Sequence, residues 1–123
     1  MNTSTHSELS SFDSASLPPA VARYLAAQHQ GADRASVLDA FAPDAHVRDE
    51  GVDYSGHQAI RGWLTTAATE YTYTTTFTGQ RQVAPDRWIV AARLEGDFPG
   101  GVADLRFRFT VRDDLIADLV IAP

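Results

Sequence analysis

The pattern of apolar and polar positions changes about halfway along the chain. Up to Glu70, most apolar residues recur three or four positions apart, which is the spacing of amphipathic helices. From Tyr71 onward, apolar and polar residues alternate, which is typical of β-strands with one buried face. Helices followed by a long antiparallel meander of strands predict an α+β fold.

Two helices are predicted before the first strand. The first begins at Pro18 or Pro19, since proline suits a first helical turn, and it ends at Gly31. Asp33 is placed to cap a second, short helix, and the buried stripe of that helix is predicted to be Val37, Leu38 and Phe41.

A short strand and a third helix follow. The strand covers residues 45–50 and stops at Gly51, and a turn runs through residues 54–56. The third helix begins near His57. The residues that it turns inward are predicted to be Ile60, Trp63, Leu64 and Ala67.

Four longer strands are predicted in the second half. The first, YTYTTTFTG, has one face formed by Tyr71, Tyr73, Thr75 and Phe77 and a second face of threonines. The next, RWIVAARLEGDF, follows a turn at Asp86, and VADLRFRFTV comes after it. The last, LIADLVIA, follows a turn at Asp113 and Asp114.

Aromatic residues supply much of the predicted interior. Most of them are expected to join the helices to the sheet. A bent sheet that is closed at one side by helices forms a cone, and a cone of this kind leaves an apolar space with a few polar groups. The predicted pocket-lining residues are Trp63, Tyr71, Tyr73, Phe77, Phe107 and Phe109.

Length and composition limit the classes of protein. The 123 residues suit a single domain, predicted over residues 18–123, after a Ser- and Thr-rich flexible leader over residues 1–17. The net charge of −6 argues against a nucleic-acid partner. The first residues lack the basic and apolar parts of a signal peptide, and the chain has no apolar run of spanning length. No membrane attachment is expected, and a cytoplasmic location is predicted.

Asp49 is the strongest candidate for a functional residue. Alternation along the strand over residues 45–50 places it on the same face as Val47, so that it faces the interior if Val47 does. An inward carboxylate can be satisfied by backbone amides or arginine, or it can lie in a pocket with a raised pKa and move protons. The residues alone leave both possibilities open.

Several other chemistries find no support in the sequence. The absence of cysteine excludes disulfides, thiol catalysis and zinc sites of the cysteine type. The four histidines lack metal-binding spacing; His29 and His46 are expected to face solvent. Phosphate-binding and nucleophilic-serine motifs are also missing from the sequence. No metal and no cofactor are predicted.

The order of elements, together with FAPDAHVRDEG, YSGHQAIRGW, GDFPGG and DLRFRF, resembles the nuclear transport factor 2-like superfamily and its SnoaL-like members. The resemblance covers roughly residues 18–121, and it extends to small stand-alone bacterial proteins. It implies a cystatin-like, cone-shaped α+β barrel, in which three N-terminal helices pack on a strongly curved, mixed or antiparallel sheet. It also implies a small apolar organic ligand and a homodimer, in which the face with Arg106 and Arg108 packs on a second subunit.

The ketosteroid isomerases of this superfamily offer a comparison residue by residue. In these enzymes an Ala-Arg-Tyr sequence in the first helix supplies an oxyanion-hole tyrosine. This chain has a similar sequence, Ala22-Arg23-Tyr24, at the matching place. Their general base, in a Val-Glu-Asp strand, corresponds to Asp49. Their protonated acid in the sheet falls near Phe107, which has no proton to donate, and this departure weakens an assignment as a steroid isomerase.

Other functions in the superfamily remain open. Cyclases and dehydratases of the superfamily use an inward aspartate or a His-Asp pair, and Asp49 with Tyr24 could serve in either reaction. Epoxide hydrolases use an Asp-Arg-Asp set, for which Asp49, Arg93 and Asp104 or Asp118 are conceivable members. The resemblance therefore implies proton transfer next to a carbonyl, with Asp49 and Tyr24 as catalytic residues. The alternative is a module that only binds a small molecule or a partner protein.

Overall fold

The computed structural model of the chain describes residues 9–28, 33–70 and 72–123, with the backbone alone for residues 67–70. A short 3-10 turn, Ser14–Ser16, comes first. The helices are α1 (Pro19–Ala26), a 3-10 helix (Arg34–Ala40) and α2 (Gly56–Glu70). The strands are β1 (Phe41–Asp49), β2 (Val52–Ser55), β3 (Tyr73–Ala84), β4 (Arg87–Gly96), β5 (Val102–Arg112) and β6 (Leu115–Ala122). Within these ranges, neither α-helix has the length and apolar character needed to cross a membrane.

The strands form one mixed sheet in the order β2-β1-β6-β5-β4-β3. The pair β1 and β6 is parallel, and the other neighbouring pairs are antiparallel. Two hairpins have two-residue turns, Glu50–Gly51 and Asp113–Asp114. All four turn residues have positive φ, and this backbone conformation matches the twist of paired strands. The predicted α+β class with a mixed sheet is confirmed.

The core lies between the helices and one face of this sheet. Helix α1 buries Val21, Tyr24 and Leu25, while α2 buries Ile60, Trp63 and Leu64. The sheet contributes buried residues at alternate positions, including Val47, Val90, Ala92, Phe107, Phe109 and Leu119. The predicted inward residues of the third helix are confirmed except Ala67, whose side chain lies outside the described residues.

Three predictions for the first half are wrong: the end of the first helix, the buried stripe of the second helix and the start of the first strand. Helix α1 ends at Ala26, and the predicted end at Gly31 lies outside the described residues. The second helix is 3-10 in form, so residues three apart share a face, and Arg34, Val37 and Ala40 are buried together. Phe41 therefore leaves the helix and begins β1, four residues earlier than predicted.

The predicted turn at residues 54–56 is instead a strand followed by the start of α2. Because the turn at Gly51 is only two residues long, the chain reverses at once, and Val52–Ser55 pairs with β1. This pairing makes Asp53 a strand residue and brings its carboxylate beside His46.

The last part of the predicted leader packs on the domain. The Ser10 backbone exchanges two hydrogen bonds of 2.8 Å with the backbone of Gln80 on the edge strand β3. The rings of Phe12 and Phe77 lie 4.8 Å apart, and Leu17 is buried in the core. Residues 1–8 of the predicted leader lie outside the described residues.

Candidate functional site

A cavity of about 70 Å³ lies between the helices and the inner face of the sheet. Five of the predicted site residues line it: Tyr24, Asp49, Trp63, Tyr73 and Phe107. Gln28, Arg34, Thr75 and four aliphatic residues, Leu64, Leu94, Leu105 and Ile121, complete its wall. The cavity is thus mainly apolar, with a few polar groups that come from four different helices and strands.

Asp49 lies at the end of β1 with its side chain toward this cavity. Its backbone neighbour across the parallel pair is Ile121, which also lines the cavity. The indole Nε1 of Trp63 donates a hydrogen bond of 3.0 Å to Asp49 Oδ2. The predicted inward direction of Asp49 follows from the alternation of β1, whereas its indole partner comes from α2 and was not foreseen.

Tyr24 is the largest fully buried side chain of the described residues, with 1% of its surface exposed. Its ring contacts Phe41 and Phe109 edge to face, and it stacks on Trp63 with 6.2 Å between the ring centres. Burial raises the pKa of Tyr24 far above its usual value, and the negative charge of Asp49 adds to the increase. The hydroxyl therefore keeps its proton and can act as a hydrogen-bond donor in the cavity.

Arg34 is a cavity residue that the sequence analysis missed. It is only 6% exposed, and its Nη1 donates a hydrogen bond of 2.9 Å to the hydroxyl of Tyr73. The guanidinium carbon also lies 5.5 Å from the centre of the Tyr73 ring. A three-residue periodicity in the second helix would have placed Arg34 on the same face as Val37.

The position of Tyr73 depends on a glycine in the neighbouring strand. Tyr73 pairs with Gly96 across β3 and β4. A Cβ at Gly96 would collide with the Thr72 carbonyl oxygen and with Cβ of Tyr73. The absence of a side chain at this position lets β3 approach β4 closely and places Tyr73 against the cavity.

A second and more open cavity, of about 260 Å³, lies on the other side of Trp63. It is lined by Asp49, Glu50, Tyr54, Ala59, Gly62, Trp63 and Thr66. Asp49 and Trp63 belong to both cavities, and the rings of Tyr54 and Trp63 lie 6.1 Å apart. The hydrogen-bonded pair of Asp49 and Trp63 therefore separates the inner cavity from the outer one.

Some predicted site residues lie elsewhere. Phe77 packs against Phe12, and Phe109 is buried in the core beside Tyr24 without lining either cavity. Tyr71 lies outside the described residues. The possible epoxide-hydrolase partners of Asp49, which are Arg93, Asp104 and Asp118, alternate with inward residues and thus lie on the opposite face of the sheet.

His46 was expected to face solvent, and it forms a charged cluster on that opposite face. Its Nδ1 lies 2.8 Å from Asp118 Oδ1, and its Nε2 lies 2.8 Å from Asp53 Oδ1. Arg48 donates to the same Asp53 carboxylate. Because both ring nitrogens face carboxylates, the doubly protonated imidazolium is the form that satisfies both contacts. Among the described residues, no group of three or more histidine, aspartate or glutamate side chains is arranged to hold a metal ion.

We expect the pKa of His46 to lie above the ordinary value of 6.5, first because of its hydrogen bond to Asp118 and then because of that to Asp53. A raised pKa means that protonated His46 stabilises the folded state below pH 6.5, and that this stabilisation is lost as the pH rises through the folded-state pKa. An NMR titration of the imidazole checks this, with Asp118→Asn expected to lower the pKa. A value at or below 6.5 in the unmodified protein would contradict it.

The comparisons with known proteins agree with this architecture. The model of the SnoaL-like domain matches residues 21–119, and the chain therefore belongs to the SnoaL-like family of the nuclear transport factor 2-like superfamily. A candidate polyketide cyclase from Sinorhizobium meliloti is 35% identical with a TM-score of 0.81, and the match covers 90% of this chain and 100% of that one. No match to a curated protein was found.

More distant structures share the fold. A Catenulispora acidiphila protein with a ketosteroid isomerase-like fold, in complex with trimethylamine, is 19% identical with a TM-score of 0.72 over 87% of each chain. A Mycobacterium tuberculosis protein in complex with estradiol-17β-hemisuccinate is 20% identical with a TM-score of 0.60, and the match covers 74% of this chain and 81% of that chain. These structures establish that the same fold holds small organic ligands in relatives.

Proposed function

We propose that this protein binds a small organic molecule in the inner cavity and transfers a proton next to a carbonyl group of that molecule. Asp49 is the base and Tyr24 is the hydrogen-bond donor to the carbonyl oxygen. The observation that carries the proposal is the convergence of an aspartate from β1 and a buried, protonated tyrosine from α1 on one largely apolar cavity. The reaction type is that of an isomerase, a cyclase or a dehydratase.

The chemistry follows from the two polar groups. Asp49 removes a proton from the carbon beside the carbonyl, and the electron pair of the broken C–H bond moves onto the carbonyl oxygen. The Tyr24 hydroxyl donates a hydrogen bond to the oxygen as negative charge develops there. Protonated Asp49 then returns the proton to another carbon, which completes an isomerisation, or to a leaving hydroxide, which completes a dehydration.

The size of the cavity limits the ligand. Drug-sized ligands occupy pockets of about 300–1,000 Å³, whereas the inner cavity measures about 70 Å³. A steroid, of the kind that the Mycobacterium tuberculosis relative holds, would need Trp63 to move so that the inner and outer cavities join. In the conformation described, a ligand of a few heavy atoms is the better fit.

A direct test is hydrogen exchange at carbon. Small ketones, oxo acids and oxo amides are incubated with the protein in D₂O, and the loss of C–H signals next to the carbonyl is followed by ¹H NMR. We expect protein-dependent exchange for at least one compound class, since exchange requires only the first proton transfer. Binding without exchange in all of these compounds would favour the non-catalytic alternative.

That alternative is a module that binds a small molecule or a partner protein and uses Asp49 as a structural hydrogen-bond acceptor. The hydrogen bond from Trp63 to Asp49 supports it, because this contact would also anchor α2 to the end of β1. The apolar Phe107, near the place of the protonated acid in ketosteroid isomerases, supports it as well.

We also propose that the protein is a homodimer that packs through the outer face of the sheet, the face that carries Arg106 and Arg108. The middle of this face has small, partly exposed apolar side chains at Ala91, Val120 and Ala122, which suit a close contact between sheets. Light scattering is expected to give about twice the chain mass of 13.4 kDa. A mass near that of one chain at micromolar concentration would contradict the dimer.

A further inference from the structure

The inner cavity contains a positive charge that the proton-transfer chemistry does not use. Arg34 lines the cavity from the 3-10 helix and is almost fully buried. A guanidinium group remains protonated at every pH at which proteins are folded. Its removal from water is unfavourable unless other groups replace the lost hydration.

Arg34 contacts Tyr73, which lines the same cavity. The hydroxyl of Tyr73 accepts a hydrogen bond from Nη1, and the ring faces the guanidinium carbon at 5.5 Å. Both contacts come from a side chain that is held in place by the close approach of β3 to Gly96. The planar guanidinium thus lies at the cavity in contact with a residue of the sheet, and its fork of N–H groups suits a carboxylate.

Arg34, Tyr24 and Asp49 line the same cavity. Both charges act on the Tyr24 hydroxyl, with opposite signs, so this hydroxyl is within the electrostatic reach of both side chains. A small ligand can therefore contact all three groups at once. Such a ligand would meet a cation, a hydroxyl donor and a carboxylate in one cavity.

We infer that the ligand of this cavity is a small carboxylic acid with a carbonyl group, whose carboxylate binds Arg34 and Tyr73 while its acidic C–H group faces Asp49. This inference rests on the proposed function, because it names the class of substrate for the same cavity. The net charge of −6 means that the overall electric field of the protein disfavours the binding of anions. Selective binding of a carboxylate would therefore depend on the local cation at Arg34.

The test uses pyruvate and its uncharged analogue pyruvamide as probes. The chain has two tryptophans, of which Trp63 lines the cavity and Trp88 does not, so their indole N–H signals in ¹H–¹⁵N spectra give a site reporter and an internal control. We expect pyruvate to shift the Trp63 signal and leave the Trp88 signal in place. Pyruvamide is expected to bind about 10- to 100-fold more weakly, since it forms no charge-assisted pair with Arg34.

Variants assign the effect to the cation. Arg34→Gln is expected to reduce pyruvate binding to the level of pyruvamide, while Arg93→Gln, on the outer face, removes the same charge and is expected to leave binding unchanged. If Arg34→Gln does not fold, Tyr73→Phe serves instead, because it keeps the ring packing and removes only the hydroxyl that contacts the guanidinium. This variant should weaken the binding of pyruvate more than the binding of pyruvamide.

The outcomes separate the two proposals. Equal binding of pyruvate and pyruvamide, or no binding of either, would overturn the carboxylate inference, and so would pyruvate binding that persists in Arg34→Gln. Selective, Arg34-dependent binding without deuterium exchange into the pyruvate methyl group would support the inference and count against proton transfer by Asp49.

Discussion

Asp49→Asn is expected to reduce the rate of carbon-bound proton exchange by about 10²–10⁴-fold, the usual contribution of a general base. The amide has nearly the same shape as the carboxylate, and its oxygen can still accept the hydrogen bond that Trp63 Nε1 donates to Oδ2. The fold and the cavity should therefore persist while the basic group is lost. Exchange rates in D₂O, measured by ¹H NMR at saturating ligand, give the result.

The matched control is Asp104→Asn. Asp104 alternates with Leu105, a cavity residue, and so lies on the outer face of the sheet. Its replacement changes the net charge by the same amount and should leave exchange at the original rate. Exchange that is unchanged in Asp49→Asn would exclude Asp49 as the base, and an equal loss in both variants would point to a general effect of charge.

Tyr24→Ala is expected to destabilise the folded state by about 3–5 kcal/mol, the range for removing a large aromatic side chain from a core. The ring of Tyr24 contacts Phe41, Trp63, Phe107 and Phe109, so its loss leaves a void where both α-helices meet the sheet. Denaturant unfolding followed by circular dichroism measures the change in the free energy of unfolding.

Tyr24→Phe separates the hydroxyl from the ring. It keeps the aromatic packing and should cost only about 0.5–1.5 kcal/mol of stability, yet it should lower kcat for exchange by about 10²–10³-fold if the hydroxyl stabilises the oxyanion. Unchanged kcat in Tyr24→Phe would restrict Tyr24 to a structural role. A loss of stability as large as that of Tyr24→Ala would instead mean that the buried hydroxyl itself holds the core together.

Much of the candidate site could be predicted because its residues lie on regular elements. Alternation along β1 placed Asp49 inward, and helical spacing placed Tyr24 and Trp63 on buried faces. The wrong predictions come from local backbone geometry that neither the α-helical period nor the strand period describes. The 3-10 helix turned Arg34 inward, and a two-residue turn at Gly51 converted a predicted turn into strand β2.

The pairing of groups from distant parts of the chain was also beyond the sequence. Nothing near Asp49 indicates that its hydrogen-bond donor is Trp63, because that contact depends on how α2 packs across β1. The same holds for His46, whose carboxylate partners Asp53 and Asp118 are brought beside it by the antiparallel and parallel neighbours of β1.

The sequence by itself determined the class of fold and the inward faces of its main elements, because the periods of helix and strand are local properties of the backbone. The family resemblance was also visible in the sequence, because it is carried by short continuous segments of the chain. Only the tertiary structure decided the size of the cavity, the entry of Arg34 into its wall and its contact with Tyr73, and the separation of Arg93, Asp104 and Asp118 from Asp49. These features depend on strand register and on helix packing, in which residues far apart in the chain are brought within a few ångströms of one another.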